Sequence, residues 1–207
     1  SNKVHYFRLL QQLQQTEFDT KKMASIIKQD VGLTYKLLRF INSAFFSWSV
    51  EIRSVHHALN LLGRKEITKW ISLLALVSIA DRKPMELVGV AVFRGRFLEM
   101  FAELVGQEEV KHDFFLVGLF SLIEALMDRP LTEVLDELPI SVSVKNALLG
   151  EEGMYRRGLD LCLAYEQADW PTVQQLSAAL NLDSDRLPPL YRSATSWGEQ
   201  GLRETAG

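Results

Sequence analysis

Cysteine is almost absent from this chain, and other absences narrow its class further. The 207 residues include a single cysteine, Cys162, so no disulfide can form within the chain. Cys162 lies between two leucines, where we expect a small buried side chain rather than a reactive thiol. No secretory leader is recognisable, and no apolar run approaches the roughly 20 residues that a membrane-spanning helix needs. These absences predict a soluble protein of the cytoplasm without a membrane segment.

Excess positive charge and the common catalytic motifs are also missing. The chain carries 23 Lys and Arg against 26 Asp and Glu, a formal net charge of -3. Dedicated nucleic-acid binders usually carry a basic excess, so this composition disfavours that class. We find no glycine-rich phosphate loop, no paired-cysteine metal motif and no G-x-S-x-G nucleophile context. The sequence therefore predicts no catalytic residue, no metal ligand and no cofactor.

The sequence has helical periodicity nearly throughout. Apolar residues recur every three or four positions, and no stretch alternates as a strand would. Asp19 and Asp30 are predicted N-caps, and Gly63 is predicted to end a helix in the left-handed conformation. Segments 65–80 and 114–127 are apolar nearly all round, which is typical of central helices. We predict an all-α multi-helix bundle in which two apolar central helices are surrounded by amphipathic ones.

The chain starts without a methionine, at Ser1-Asn2, which resembles the remnant of a cleaved tag. We interpret residues 3–205 as one domain and the whole as the C-terminal fragment of a longer protein.

The four histidines are the first candidates for metal chemistry. His56 and His57 are adjacent on a predicted helix and point about 100° apart, so they cannot share an ion. His112-Asp113 is more suggestive, because Glu109 lies three residues earlier and can share a helical face with His112. An N-cap role for Asp113 is the plainer interpretation. A metal site formed by Glu109, His112 and Asp113 remains an alternative.

Several surface features are candidates for binding. Residues 172–190 have the sequence pattern of a helix-turn-helix. Pro188-Pro189 and the scarcity of basic residues in its second helix nevertheless favour a plain corner between two helices. Two small basic clusters are expected on solvated faces, with contact to a partner as the alternative. Aromatic residues in a predicted loop are expected in the core, and they would be interface anchors if exposed. The residues of these clusters and of the loop are Arg64, Lys65 and Lys69; Arg94 and Arg96; and Phe45, Phe46 and Trp48.

In combination, several segments resemble the HDOD family over nearly the whole chain. The most recognisable segment is residues 27–44, from Ile27-Lys28-Gln29-Asp30 to Asn42-Ser43-Ala44. Segments 52–55, 58–63 and 115–122 are similar to later parts of HDOD domains. Residues 164–170, Ala-Tyr-Glu-Gln-Ala-Asp-Trp, are similar to the C-terminal half of bacterial proteins in which an EAL domain precedes HDOD.

The resemblance implies a regulatory output domain related to the His-Asp phosphohydrolases but without their metal ligands. In the catalytic relatives the His-Asp pair follows a Gly-Leu-Leu-like stretch. The matching slot here, after Gly118-Leu119-Phe120, holds Ser121 and Leu122. We therefore expect a domain that binds its own EAL domain, another protein or a second copy of itself, in signalling linked to cyclic di-GMP. A degenerate phosphohydrolase and a nucleic-acid binder are the two alternatives.

Overall fold

The structure, a computed structural model, describes residues 2–42, 49, 51–80 and 83–206. Every regular element within these ranges is a helix, which confirms the predicted all-α class. The chain divides into two compact units, one formed by Ser1–Ile79 with Gln200–Gly207 and the other by Ala80–Glu199. In the described ranges, no helix combines the length and apolar character needed to cross a bilayer.

The first unit is arranged around its longest helix. α1, α2 and α3 each pack against α4, and α2 also contacts α1 and α3. Leu9, Leu10 and Leu13 are buried, so the apolar face of α1 supplies part of the core. The helices are α1 (Asn2–Leu13), α2 (Thr20–Lys28), α3 (Val31–Ile41) and α4 (Val55–Ile79).

Two aspartates start helices of the first unit, as their sequence positions predict. The Asp19 carboxylate accepts hydrogen bonds from the backbone N–H groups of Lys21 and Lys22 at the start of α2. The Asp30 carboxylate accepts from the Leu33 N–H at 3.0 Å, and its other oxygen lies 3.3 Å from Nδ1 of His5 on α1. Both N-cap predictions are confirmed, and Asp30 also connects α3 to α1.

α4 is interrupted at Gly63. The glycine has φ 71°, a conformation that residues with a side chain rarely adopt, and the helix kinks there. This confirms the predicted helix end at Gly63 and the new helix after it. Ile67, Trp70 and Ile71 are at most 1% exposed, so the apolar segment is central to its unit.

The second unit is built around the pair α5 and α6. These two helices approach each other closely at Gly118, where an added Cβ would lie 2.3 Å from the carbonyl oxygen of Arg94. α10 contacts both helices, and α9 packs on α6. Short 3-10 helices occur at Glu108–Val110 and Ser184–Arg186. The helices are α5 (Met85–Leu104), α6 (Lys111–Phe120), α7 (Ile123–Met127), α8 (Leu131–Glu137), α9 (Val142–Leu148), α10 (Met154–Glu166), α11 (Trp170–Ala179) and α12 (Leu187–Ala206).

The second apolar segment differs from the prediction in two respects. It forms two helices rather than one, because the helix is interrupted between α6 and α7 at Ser121-Leu122. There the Ser121 N–H turns back to the Gly118 carbonyl, three residues earlier, and Leu122 leaves helical geometry. Asp113 is also not an N-cap, since α6 begins at Lys111 directly after a 3-10 turn. The two apolar segments are each central to a different unit.

Candidate functional site

The slot identified from the sequence lies at the break between α6 and α7. Ser121 Oγ donates to the Gly118 carbonyl at 2.7 Å and accepts from Nη1 of Arg94 on α5 at 3.2 Å. Leu122 beside it is half-buried and has no ligand atom. A neutral hydroxyl and an aliphatic side chain do not provide the imidazole and carboxylate ligands that a catalytic transition metal requires.

A charged pair lies directly beside this slot. The guanidinium of Arg94 meets the carboxylate of Glu166 on α10 with Nε 3.0 Å from Oε1 and Nη2 2.8 Å from Oε2. The two side chains are 13% and 18% exposed, so water screens the pair only partly. The predicted solvated face is therefore wrong for Arg94. The Arg94 guanidinium beside the slot, the Glu166 carboxylate and the Ser121 hydroxyl together form a structural connection between α5, α6 and α10.

The one cysteine belongs to the same region. Cys162 is completely buried one turn before Glu166 on α10, which confirms the expectation of a small core residue. Burial raises the pKa of its thiol well above the ordinary value; the nearby Glu166 carboxylate raises it further, and Arg94 opposes the shift. The thiolate is thus disfavoured, and the thiol is a poor nucleophile.

The three residues of the phosphohydrolase alternative are placed in different surroundings. Asp113 accepts a hydrogen bond from the Tyr155 hydroxyl at 3.1 Å. Glu109 is exposed on the 3-10 turn before α6. In the second unit, a carboxylate oxygen of Glu99 on α5 comes within 4.8 Å of a ring nitrogen of His112. Among the described residues, the ligand atoms of Glu109, His112 and Asp113, the alternative metal site, do not lie within 4.8 Å of one another as a group.

Glu99 is a buried carboxylate that the sequence did not single out. Its side chain is 2% exposed, and Nη1 of Arg96 donates to it at 2.6 Å. The Arg96 guanidinium also lies 5.6 Å from the ring centre of Trp197, in cation–π geometry. Arg96 is thus not on a solvated face as predicted, and its charge compensates Glu99. Within the second unit, Glu99 and His112 form a pair of possible ligand atoms.

The basic cluster at the kink of α4 is less exposed than predicted. The Arg64 guanidinium donates to the backbone carbonyl of Gln15. Lys69 is 8% exposed and lies 3.4 Å from the carboxylate of Glu66. The predicted solvated face fails at Lys69 because its helical position is buried, whereas Lys65 is exposed. The aromatic candidates Phe45, Phe46 and Trp48 lie outside the described residues.

The predicted helical corner is present at residues 172–190. α11 is followed by the 3-10 turn Ser184–Arg186 and then by α12, whose first turn contains Pro188 and Pro189. Prolines are tolerated in a first turn because those N–H groups have no partner in the helix. α11 contains no basic residue, which gives phosphates little to contact.

Two of the residues described above were missed by the sequence reading, namely Glu166 and Glu99. Glu166 contacts Arg94, which is 72 residues away in the sequence, and a pattern of neighbouring residues cannot predict such a contact. Glu99 is three residues after Arg96 on a helix, a spacing that indicates an ion pair but not its burial.

Comparisons with known proteins agree with the all-helical architecture. A family model described as the HDOD domain matches residues 3–130. The chain is similar to cyclic di-GMP phosphodiesterase CdgJ of Vibrio cholerae, with 32% identity over 93% of this chain and 44% of that protein. It is also similar to the uncharacterized protein YuxH of Bacillus subtilis, with 30% identity over 93% of this chain and 47% of that protein. The chain spans about half the length of these curated relatives. No solved structure gave a significant match.

Proposed function

The chain belongs to the HDOD family, and on that premise we propose that it is a non-catalytic regulatory domain that binds a protein partner in bacterial cyclic di-GMP signalling. The observation that carries the proposal is the composition of the degenerate slot. Where a catalytic relative would need metal ligands, this chain has Ser121, Leu122 and the paired guanidinium of Arg94. The positive charge of the Arg94 guanidinium, which Glu166 holds beside the slot, would repel a metal ion that entered it.

The link to cyclic di-GMP is supported by one relative. CdgJ is named a cyclic di-GMP phosphodiesterase, and this chain aligns with less than half of it. We infer that an EAL domain precedes this chain in its full-length protein, and that this EAL domain is the protein that the chain binds. A tethered neighbour has a high effective concentration, so even a weak contact surface suffices for regulation.

The non-catalytic part of the proposal is tested on the purified chain. It should hydrolyse neither cyclic di-GMP nor a generic phosphodiester such as bis(p-nitrophenyl) phosphate, with Mn²⁺ or Mg²⁺ added. Elemental analysis after dialysis should find no stoichiometric metal. Turnover that disappears in His112→Ala but persists in the control His57→Ala, on the exposed surface, would overturn the proposal.

A degenerate phosphohydrolase is the second candidate, and one contact favours naming it. His112 and the buried Glu99 supply two neighbouring ligand atoms in the second unit. Glu99 is already compensated by Arg96, so an ion would have to compete with that guanidinium. Metal retention by the wild-type chain and its loss in Glu99→Gln would support this candidate over the first.

The regulatory part is tested on the full-length protein. Sequencing the coding region upstream of Ser1 shows whether an EAL domain is present. If it is, deletion of the segment corresponding to residues 3–205 should change the rate of cyclic di-GMP hydrolysis, because the contact between the domains is removed. An unchanged rate together with no change in its dependence on substrate would count against regulation in cis.

A further inference from the structure

The net charge of -3 is the sum of a positive N-terminal part and a negative part that follows it. Residues 1–79 contain 11 Lys and Arg against 5 Asp and Glu, a net charge of +6. Residues 80–199 contain 11 against 20, a net charge of -9. An asymmetry of this size is a sequence signal for an interaction surface of one sign. The positive residues 1–79 all belong to the first compact unit.

Part of that positive charge borders an open groove within the first unit. Four lining residues are on one face of α2, and the fifth, His56, comes from the first turn of α4. The groove has a volume of about 550 Å³, and none of its lining residues is acidic. The α2 residues are Lys21, Ala24, Ser25 and Lys28.

The two lysines of the groove are available for contact. Both are exposed, and neither ammonium group forms an ion pair with a carboxylate of the part of the chain that the structure describes. By contrast, Lys69 and Lys83 of this chain are held by Glu66 and Asp128. Among the described residues, therefore, no carboxylate forms an ion pair with the two charges that the groove presents.

The spacing of the lysines suits a helix. Lys21 and Lys28 are seven residues apart, which on α2 is two turns and about 10.5 Å. Between them lie Ala24 and Ser25, whose small side chains let another backbone approach closely. A helix with two carboxylates seven residues apart presents them at the same separation and on one face.

We propose that this groove, between α2 and the start of α4, binds an acidic helix of a protein partner, with Asp or Glu residues of that helix against Lys21 and Lys28. The inference rests on the proposed protein-binding function and specifies the chemistry of the partner. Charge complementarity of this kind contributes mainly to specificity and to the rate of association. A nucleic-acid ligand fits less well, because tight phosphate binding typically uses about 6–10 cationic contacts, and this groove offers two lysines.

The test measures binding of the intact chain to a defined probe. The probe is a fluorescein-labelled, side-chain-stapled helical peptide with two Glu residues seven positions apart, and its control has Gln at both positions. Fluorescence anisotropy should show binding of the Glu peptide that weakens as salt rises from about 0.05 to 0.2 M, and at least about tenfold weaker binding of the Gln peptide.

Paired variants separate the groove from general charge. Lys21→Glu with Lys28→Glu should weaken binding of the Glu peptide by about tenfold or more, because two attractions become repulsions. Lys22→Glu with Lys36→Glu makes the same change in net charge outside the groove and should weaken it less than about twofold. Circular dichroism melts of both double variants show whether each remains folded.

Four outcomes overturn the inference. These are no binding of the Glu peptide, equal weakening by the two double variants, salt-dependent binding of duplex DNA that only the groove variant loses, and self-association in sedimentation that only the groove variant loses. The last two would assign the groove to nucleic acid or to a second copy. Phosphodiesterase turnover, which tests the proposed function, is read independently because neither double variant alters the slot or His112.

Discussion

The guanidinium of Arg94 and the carboxylate of Glu166 meet across 72 residues of sequence, with Nη2 and Oε2 2.8 Å apart. Arg94 lies on α5 and Glu166 on the last turn of α10, so the pair connects the segment matched by the HDOD model to the segment that follows it. Because Arg94 also donates to Ser121, one guanidinium joins the break between α6 and α7 to α10. Removal of the Arg94–Glu166 pair should therefore lower stability more than removal of a surface ion pair does.

Glu166→Ala should lower the free energy of unfolding by about 3 kcal/mol, since it leaves the Arg94 charge partly buried without its carboxylate. Asp160→Ala is the matched control on the same helix. It breaks the more exposed pair with Arg156 and should cost only about 0.3–0.5 kcal/mol. Urea denaturation of the three proteins measures both differences, and equal losses in the two variants would contradict a structural role for the Arg94 pair.

Gly118→Ala should destabilise the second unit strongly. The added Cβ would lie 2.3 Å from the carbonyl oxygen of Arg94, and its three nearest atoms are all backbone atoms of α5, which can relax little. We expect a loss of about 1–3 kcal/mol or more, typical of overpacking. Gly153→Ala is the control, since nothing lies within 4 Å of its Cβ position and its backbone is extended. A melting temperature unchanged in Gly118→Ala would show that α5 and α6 are not so closely packed.

Acid should weaken the first unit through Asp30. The Leu33 N–H, which donates to its carboxylate, and the contact with His5 lower the pKa of Asp30 below its ordinary value. The ionised form is therefore favoured by folding, and its contribution is present above the ordinary pKa of about 4 and lost as pH falls through the lowered one. Asp30→Asn keeps a capping oxygen but does not titrate. The difference in unfolding free energy between wild type and Asp30→Asn should shrink as the pH falls below about 4, and a constant difference would contradict the assignment.

Alkali should act on Tyr155. Its burial first, and then the Asp113 carboxylate that accepts its hydrogen bond, raise the pKa of the phenol to about 12. An unfolded tyrosine ionises near pH 10, so the unfolded state gains charge first and stability falls between about pH 10 and 12. Tyr155→Phe should make this decline shallower. Spectrophotometric titration of wild type minus Tyr155→Phe should give a transition above pH 11, and one near 10 would refute the raised value.

The helices and their boundaries were largely readable from local sequence. Asp19 and Asp30 were predicted as caps because the bonds that they make reach only two or three residues, and Gly63 was predicted as a break because its tolerance of positive φ is intrinsic to glycine. The prediction failed at Ser121, where the helix ends although its own sequence favours continuation. There the hydroxyl bonds to Gly118 and receives Arg94 from another helix.

What the sequence by itself determined, then, is the all-α class, the family and the absence of ligand-type side chains at Ser121 and Leu122. Each follows from residue identity and from spacing along one helix. Only the tertiary structure decided that Arg94 and Arg96 are paired with Glu166 and Glu99 instead of facing solvent, and that Lys21 and Lys28 border a groove with His56. Burial and pairing depend on which helices pack together, and contacts across tens of residues leave no periodic trace in the chain.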